Sequence, residues 1–152
     1  MSEDATGVVF VDFDGVLLDD AWLLARRAHE LSPVLVARLD ALCHRTGAAV
    51  VVVSGWRCFT SLGDLRDLLS RAGLTAPFLG AVGCDRGEDD GRARHAALWL
   101  AAHPQVTRWV VLDDEYAWPA SWSDRWVRVD GRYGLTEADV ERAARVLGRS
   151  TG

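Results

Sequence analysis

An α/β domain with a parallel sheet covered by helices on both faces, a three-layer α/β/α arrangement, is the fold class this sequence predicts. Three observations predict it. Short runs dominated by valine recur at 8–13, 48–53 and 108–112. Strands buried on both faces read as such near-continuous apolar runs, whereas strands with one wet face alternate. Segments with helical spacing lie between the runs, as crossovers between parallel strands require. The length, 152 residues, suits one domain over 1–152, since a single core grows comfortably to that size.

The elements follow in order. The first strand covers about 8–13 and runs into Asp12, Asp14 and Gly15. Gly15 to Leu31 is partly helical. Ser32-Pro33 reads as an N-cap with proline at the first helical position. The helix that follows carries Leu35, Leu39 and Leu42 and stops at Gly47. Residues 48–53 form the second strand, and a helix over about 60–72 carries Leu62, Leu65, Leu68 and Leu69 on one face before Gly73. Phe78 to Val82 is a short third strand, Gly83 to Gly91 a loop, and Arg92 to His103 a helix ended by Pro104. Residues 108–112 and 126–129 are the fourth and fifth strands. Thr136 begins the last helix, with Asp139 three residues on in a near capping box. Trp118, Trp122 and Trp126 recur at i, i+4 and i+8. That spacing suits a helix face, while Pro119 and the serines favour a loop. The rings serve either as core or as a platform for a flat ligand.

Composition narrows the class. The chain is 49% hydrophobic and 26% charged, as in globular proteins. No apolar run approaches the roughly 18 residues of a membrane span. Met-Ser-Glu-Asp at the start lacks the pattern of a signal peptide, so the expected location is cytoplasmic. Cys43, Cys58 and Cys84 are scattered without CxxC spacing and read as reduced thiols, neither a disulfide frame nor a zinc site. The net charge of −5 argues against broad nucleic-acid binding. Lysine is absent, so any cation gripping phosphate must be arginine, which holds it in a bidentate fork.

Polar chemistry collects at predicted strand ends. Asp12 and Asp14 end the first strand, Ser54 the second, and Asp113 and Asp114 the fourth; Arg92 and Arg94 open the helix before the fourth. In a parallel sheet these ends share one edge, where open α/β sheets bind ligands. Asp-x-Asp-Gly alone could be a turn signal; the set together matches phosphoryl transfer. A carboxylate can attack phosphorus, a hydroxyl and a cation hold the non-bridging oxygens, and carboxylates hold Mg²⁺. A receiver domain would place its accepting aspartate after the third strand, where this chain has Gly83-Cys84.

These residues resemble the haloacid-dehalogenase-like (HAD) superfamily, whose four signatures appear in order as Asp12-Phe13-Asp14-Gly15-Val16, Ser54, Arg92 and Asp113-Asp114. More narrowly, Val-Val-Ser-Gly-Trp-Arg at 52–57, Trp99-Leu100 before His103-Pro104, Trp109 to Glu115 and Gly134-Leu-Thr-Glu137 resemble small HAD domains of RNA-repair and polynucleotide-end-processing proteins. The resemblance implies a Rossmann-like sheet and a Mg²⁺-dependent phosphomonoesterase. It implies that Asp12 is nucleophile and metal ligand. Asp14 is general acid and then base, with its backbone carbonyl on Mg²⁺. Ser54 and Gly55 contact the phosphoryl group, Arg92 stabilises its charge, and Asp113 and Asp114 complete the metal site. Arg94 competes with Arg92 for the cation role, and Arg57 is either a further phosphate contact or a surface ion pair.

Neither Gly15–Leu31 nor Gly83–Gly91 is long enough to fold as a cap domain. The site is therefore expected to be open, with Trp22, Trp56 and the Trp118–Trp126 group near its mouth. Such a site admits a nucleic-acid end, a nucleotide or a phosphoprotein, or takes a partner subunit or second copy as its lid. A small phosphometabolite, and a HAD-like binding or regulatory module with little turnover, are the alternatives.

Overall fold

The computed structural model describes residues 6–26, 30–85 and 91–148. Five strands form one parallel sheet: β1 (Gly7–Val11), β2 (Ala49–Val52), β3 (Phe78–Ala81), β4 (Arg108–Asp113) and β5 (Trp126–Arg128), in the order β3-β2-β1-β4-β5. The helices are α1 (Asp20–Arg26), α2 (Pro33–Thr46), α3 (Leu62–Arg71), α4 (Arg92–Ala102) and α5 (Glu137–Leu147). The α/β/α reading holds, as a Rossmann-like parallel sheet between two helical layers.

Alternation along the central strands creates the two apolar layers. Val9, Val11, Val50, Val52, Val110 and Leu112 face one side, with Leu35, Leu39 and Leu42 of α2, Leu65 and Leu69 of α3, and Ala143 and Leu147 of α5. Val8, Phe10, Val51, Val53 and Val111 face the other, against Ala96 of α4 and Trp118. Side chains at i and i+2 share a face, so each strand feeds both layers, and both layers exclude water. Trp122 and Trp126 pack partly buried against this second layer, and Trp118 is 6% exposed. The tryptophan stripe is core. A 3-10 turn over Ala120–Arg125 joins its members.

Caps set the helix ends. Ser32 Oγ accepts from Leu35 N, and Thr136 with Asp139 completes a reciprocal capping box. Gly134 precedes that box at φ +70°, and a Cβ there would press into Leu35. The next residue, Leu135, is fully buried and its N–H donates to Val16 O at 2.9 Å. The Gly-Leu-Thr-Glu segment thus ties the turn after β1 to the start of α5. The first strand ends earlier than 8–13. Asp12 N–H still donates to Leu112 O at 3.0 Å, but Val16 and Leu17 N–H both return to Phe13 O, which curls the chain out of the sheet. Within the Gly15–Leu31 and Gly83–Gly91 intervals, residues 27–29 and 86–90 lie outside the described ones. No described helix is long and apolar enough to cross a membrane.

One expectation is corrected. Cys58 and Cys84, 26 residues apart, form a disulfide with Cα atoms 5.3 Å apart, and Cys43 is the free, buried thiol. The pairing was invisible in the spacing because parallel β2 and β3 bring the loops after them side by side. Thiol titration of the unfolded, unreduced protein should therefore find one reactive cysteine, rising to three after reduction; three before reduction would contradict the pairing.

Candidate active site

The sheet register places the first carboxylates. Val11 pairs with Leu112 in β4 and with Val52 in β2. The residues that follow, Asp12, Asp113 and Val53-Ser54, therefore sit side by side at the carboxyl edge. Asp12 is 5% exposed and Asp113 fully buried. Two carboxylates so close and so dry demand a counter-charge. Arg92, the first residue of α4, supplies one: its Nη1 lies 2.8 Å from Asp113 Oδ2 and 3.5 Å from Asp12 Oδ2. Its guanidinium also lies over the Tyr116 ring, 4.8 Å from the centroid.

Asp113 is held from every side. Its Oδ1 accepts from Glu115 N and Tyr116 N at 3.1 and 3.2 Å, and its Oδ2 accepts from Trp118 Nε1 at 3.3 Å as well as from Arg92. Trp126 Nε1 donates to its backbone carbonyl at 3.0 Å. Asp12 Oδ1 accepts from Phe13 N at 2.8 Å. Asp114, half-buried, lies against Gly15, whose φ of +80° and lack of a Cβ make room for its carboxylate.

Oxygens of Asp12, Asp113 and Asp114 lie within 4.8 Å of one another. Burial pushes the Asp12 carboxyl well above the usual carboxylate range, and Asp113 adds to that while Arg92 opposes it. Burial, then Asp113 and Glu115, push Asp114 up to about 6. One guanidinium does not neutralise three carboxylates. An all-oxygen, anionic donor set of this kind fits a hard divalent cation.

A cleft of about 590 Å³ opens over the cluster, lined by Asp12, Asp14, Gly55, Trp56, Phe59, Arg92, Asp113, Asp114, Glu115 and Tyr116. Asp14 is exposed on the turn after Asp12, and its Oδ2 accepts from Trp56 Nε1 at 3.0 Å. Ser54 is buried, and its Oγ accepts from Trp56 N at 3.1 Å, capping the 3-10 turn Gly55–Cys58 beside the cleft. Arg57 is not among the lining residues: its Nη1 reaches Thr60 O at 3.4 Å and its buried Nε has no hydrogen-bond partner among the described residues. Arg94 turns away to Asp85 at 2.5 Å, outside the cleft. Trp22 also lies apart, donating from Nε1 to Glu30 O. Sequence reasoning missed the donors Trp118 and Trp126 on Asp113, the ring of Tyr116 beneath Arg92, and Phe59 at the rim. Only the tryptophan spacing hinted at any of them.

A parallel sheet whose carboxyl edge gathers an Asp-x-Asp-Gly turn, a serine-capped turn, a helix-borne cation and an acidic pair defines a HAD-like domain. A family model described as the HAD domain in Swiss Army Knife RNA repair proteins matches residues 8–140, and the chain belongs to that family. No curated protein and no solved structure matches it.

Two outcomes follow from this geometry. Gly15→Ala should cost about 1 to 3 kcal/mol in backbone strain and push Asp114 out of place; calorimetry should show lower stability together with a weakened response to divalent cations. In the metal-free protein, the raised carboxyls of Asp12 and Asp114 bind protons more tightly folded than unfolded. Stability therefore falls as pH rises from the ordinary value of 3.8 through about 6. A divalent cation removes that penalty, so its addition should raise the melting temperature more at neutral pH than near pH 5. An equal response at both would count against the cluster as a cation site.

Proposed function

We propose that this protein is a Mg²⁺-dependent phosphomonoester hydrolase that works through an aspartyl-phosphate on Asp12. The observation that carries the reading is the buried Asp12 carboxylate, grouped with Asp113 and Asp114 oxygens and faced by Arg92 at 3.5 Å. Asp12 attacks phosphorus, and the bond to the leaving oxygen breaks as Asp14 donates it a proton. Asp14 then takes a proton from water, whose oxygen attacks the phosphoryl group. Inorganic phosphate leaves and Asp12 is restored. Arg92 stabilises charge on the phosphoryl oxygens, and the Ser54–Gly55 turn presents polar groups beside it. Asp12, Asp113 and Asp114, with the Asp14 carbonyl, would hold Mg²⁺, which supplies positive charge against the repulsion between carboxylate and phosphate. Arg92, not Arg94, is the cation of the third motif, because Arg94 is engaged with Asp85 outside the cleft.

The substrate class is a nucleic-acid or nucleotide phosphate end. Three features support it. The family is described by its RNA-repair proteins. The cleft is open, since the described part of the interval between β1 and β2 holds the seven-residue α1 before α2 begins. A second cleft of about 580 Å³, whose lining carries Asp20 and Asp130 as well as Arg128 and Arg132, adjoins the first through Asp114 and Glu115, which leaves room for more than a terminal phosphate. The net charge of −5 favours the rival, a small phosphometabolite.

Phosphate release should be measured on oligonucleotides with 3′- or 5′-phosphates, mononucleotides, sugar phosphates and a phosphopeptide, with and without Mg²⁺. Mg²⁺-dependent release from the nucleotide classes, lost in Asp12→Asn, is the expected outcome. Undiminished release by Asp12→Asn would overturn the mechanism, and release from sugar phosphates alone would reassign the substrate. Arg92→Ala should lower kcat/KM by about 10² to 10³, the range for removing one transition-state donor, while Arg94→Ala should leave it within about twofold. The reverse order would move the role to Arg94.

A further inference from the structure

The proton donor stands in an unusual setting. Asp12 and Asp113 are buried and each is held by several groups, but Asp14 is exposed. Among the described residues its carboxylate accepts one hydrogen bond, from Trp56 Nε1 to Oδ2 at 3.0 Å. An exposed carboxylate with free rotation about its two side-chain torsions would spend little time aimed at the leaving group. A general acid works only within hydrogen-bond reach of the atom it protonates.

Trp56 is itself well anchored. Its ring packs edge-on against Phe13, with centroids 5.3 Å apart and planes at 81°. Phe13 is fully buried between the two aspartates of the motif. The Trp56 backbone N–H is held by Ser54 Oγ at 3.1 Å. The indole is thus fixed from both ends, by the nucleophile's neighbour in sequence and by the serine-capped turn. Its direction is also chemically one-sided, because an indole N–H donates and never accepts.

Resting on the phosphoryl-transfer reading above, we propose that Trp56 is a positioning residue for the acid step. Its N–H occupies Asp14 Oδ2 as an acceptor in both protonation states. The transferable proton is thereby carried on Oδ1. As the Asp12 oxygen bonds to phosphorus and the bond to the leaving oxygen breaks, the Oδ1 proton passes to that oxygen, and Asp14 is left as the carboxylate that Trp56 continues to hold. Trp56 does not touch the reacting atoms; it aims the group that does.

Leaving-group dependence tests this. Trp56→Phe keeps a ring against Phe13 and deletes the N–H. Two substrates are compared by kcat/KM, which reports transfer to Asp12: an alkyl phosphate, whose alkoxide needs a proton, and 4-nitrophenyl phosphate, whose leaving group departs without one. The alkyl substrate should lose about tenfold or more, a part of the roughly 10² to 10⁴ that a general acid contributes. The nitrophenyl substrate should change by less than about threefold. In an Asp14→Asn background the same substitution should have no further effect on the alkyl substrate. An equal loss on both substrates, or no loss on either, would overturn the positioning role while leaving the aspartyl-phosphate reading intact. Absence of turnover by the unaltered protein, or full activity in Asp12→Asn, would overturn both. Should Trp56→Phe fail to fold, the indole N–H proton resonance of Trp56 decides. It should move upfield in Asp14→Ala if the bond to the carboxylate exists, and an unmoved resonance rejects it.

Discussion

A single guanidinium between two buried carboxylates governs this molecule. Asp12 and Asp113 end adjacent parallel strands, and the register of β1 against β4 forces them together at an edge that both apolar layers keep dry. Neither charge could stay there alone, since breaking a buried pair by removing one partner typically costs about 3 to 5 kcal/mol. Arg92 reaches both from the first turn of α4. That helix start is thus tied to the sheet edge by charge as well as by packing. The same contact leaves an acidic excess once Asp114 is included, which adds to burial in raising the carboxyls of Asp12 and Asp114 above the usual carboxylate range. Folding assembles a site that is under-neutralised by construction, with an all-oxygen donor set that suits a hard divalent cation.

Around this centre the aromatic residues act as donors as well as filler. Trp118 and Trp126 bury their rings in the layer against α4 and turn their N–H groups onto Asp113, one to the carboxylate and one to the carbonyl. Trp118 stacks on Trp122 with planes 12° apart, and Trp122 touches Trp109 of β4. A buried carboxylate held by rings that are themselves core cannot rotate without disturbing the core, which is how a site is kept in register by packing. Tyr116 does the corresponding service for Arg92, with its ring beneath the guanidinium and its hydroxyl accepting from Ala93 N at 3.4 Å.

The turn after β1 joins the candidate site to the fold. Gly15 passes close to Asp114, Phe13 is buried between Asp12 and Asp14, and Leu135 reaches back to Val16 from the start of α5. Displacement of this turn would therefore move Asp12, Asp14 and Asp114 together. The disulfide between Cys58 and Cys84 bridges the loops after β2 and β3 on the same edge. It joins the segment carrying Ser54 and Trp56 to the one leading toward Arg92.

Much of this was legible in the residues. Valine-rich runs announced buried strands because burial on both faces leaves no polar alternation, and Ser32-Pro33, Gly47 and Thr136 marked helix ends because caps need particular side chains. The strand-end aspartates pointed to one edge because parallel strands share it. Composition and spacing could not tell Arg92 from Arg94. Two residues apart on a helix, they point in different directions, and only packing shows that one enters the cleft and the other meets Asp85. Nor could they pair Cys58 with Cys84, aim the indole of Trp56 at Asp14, or decide between core and platform for Trp118. Local periodicity and capping are properties of neighbours along the chain, and the sequence alone determined them here. Side-chain direction, pairing across loops and the raised carboxyl of Asp12 depend on groups brought close from distant positions, so only the tertiary structure decided them.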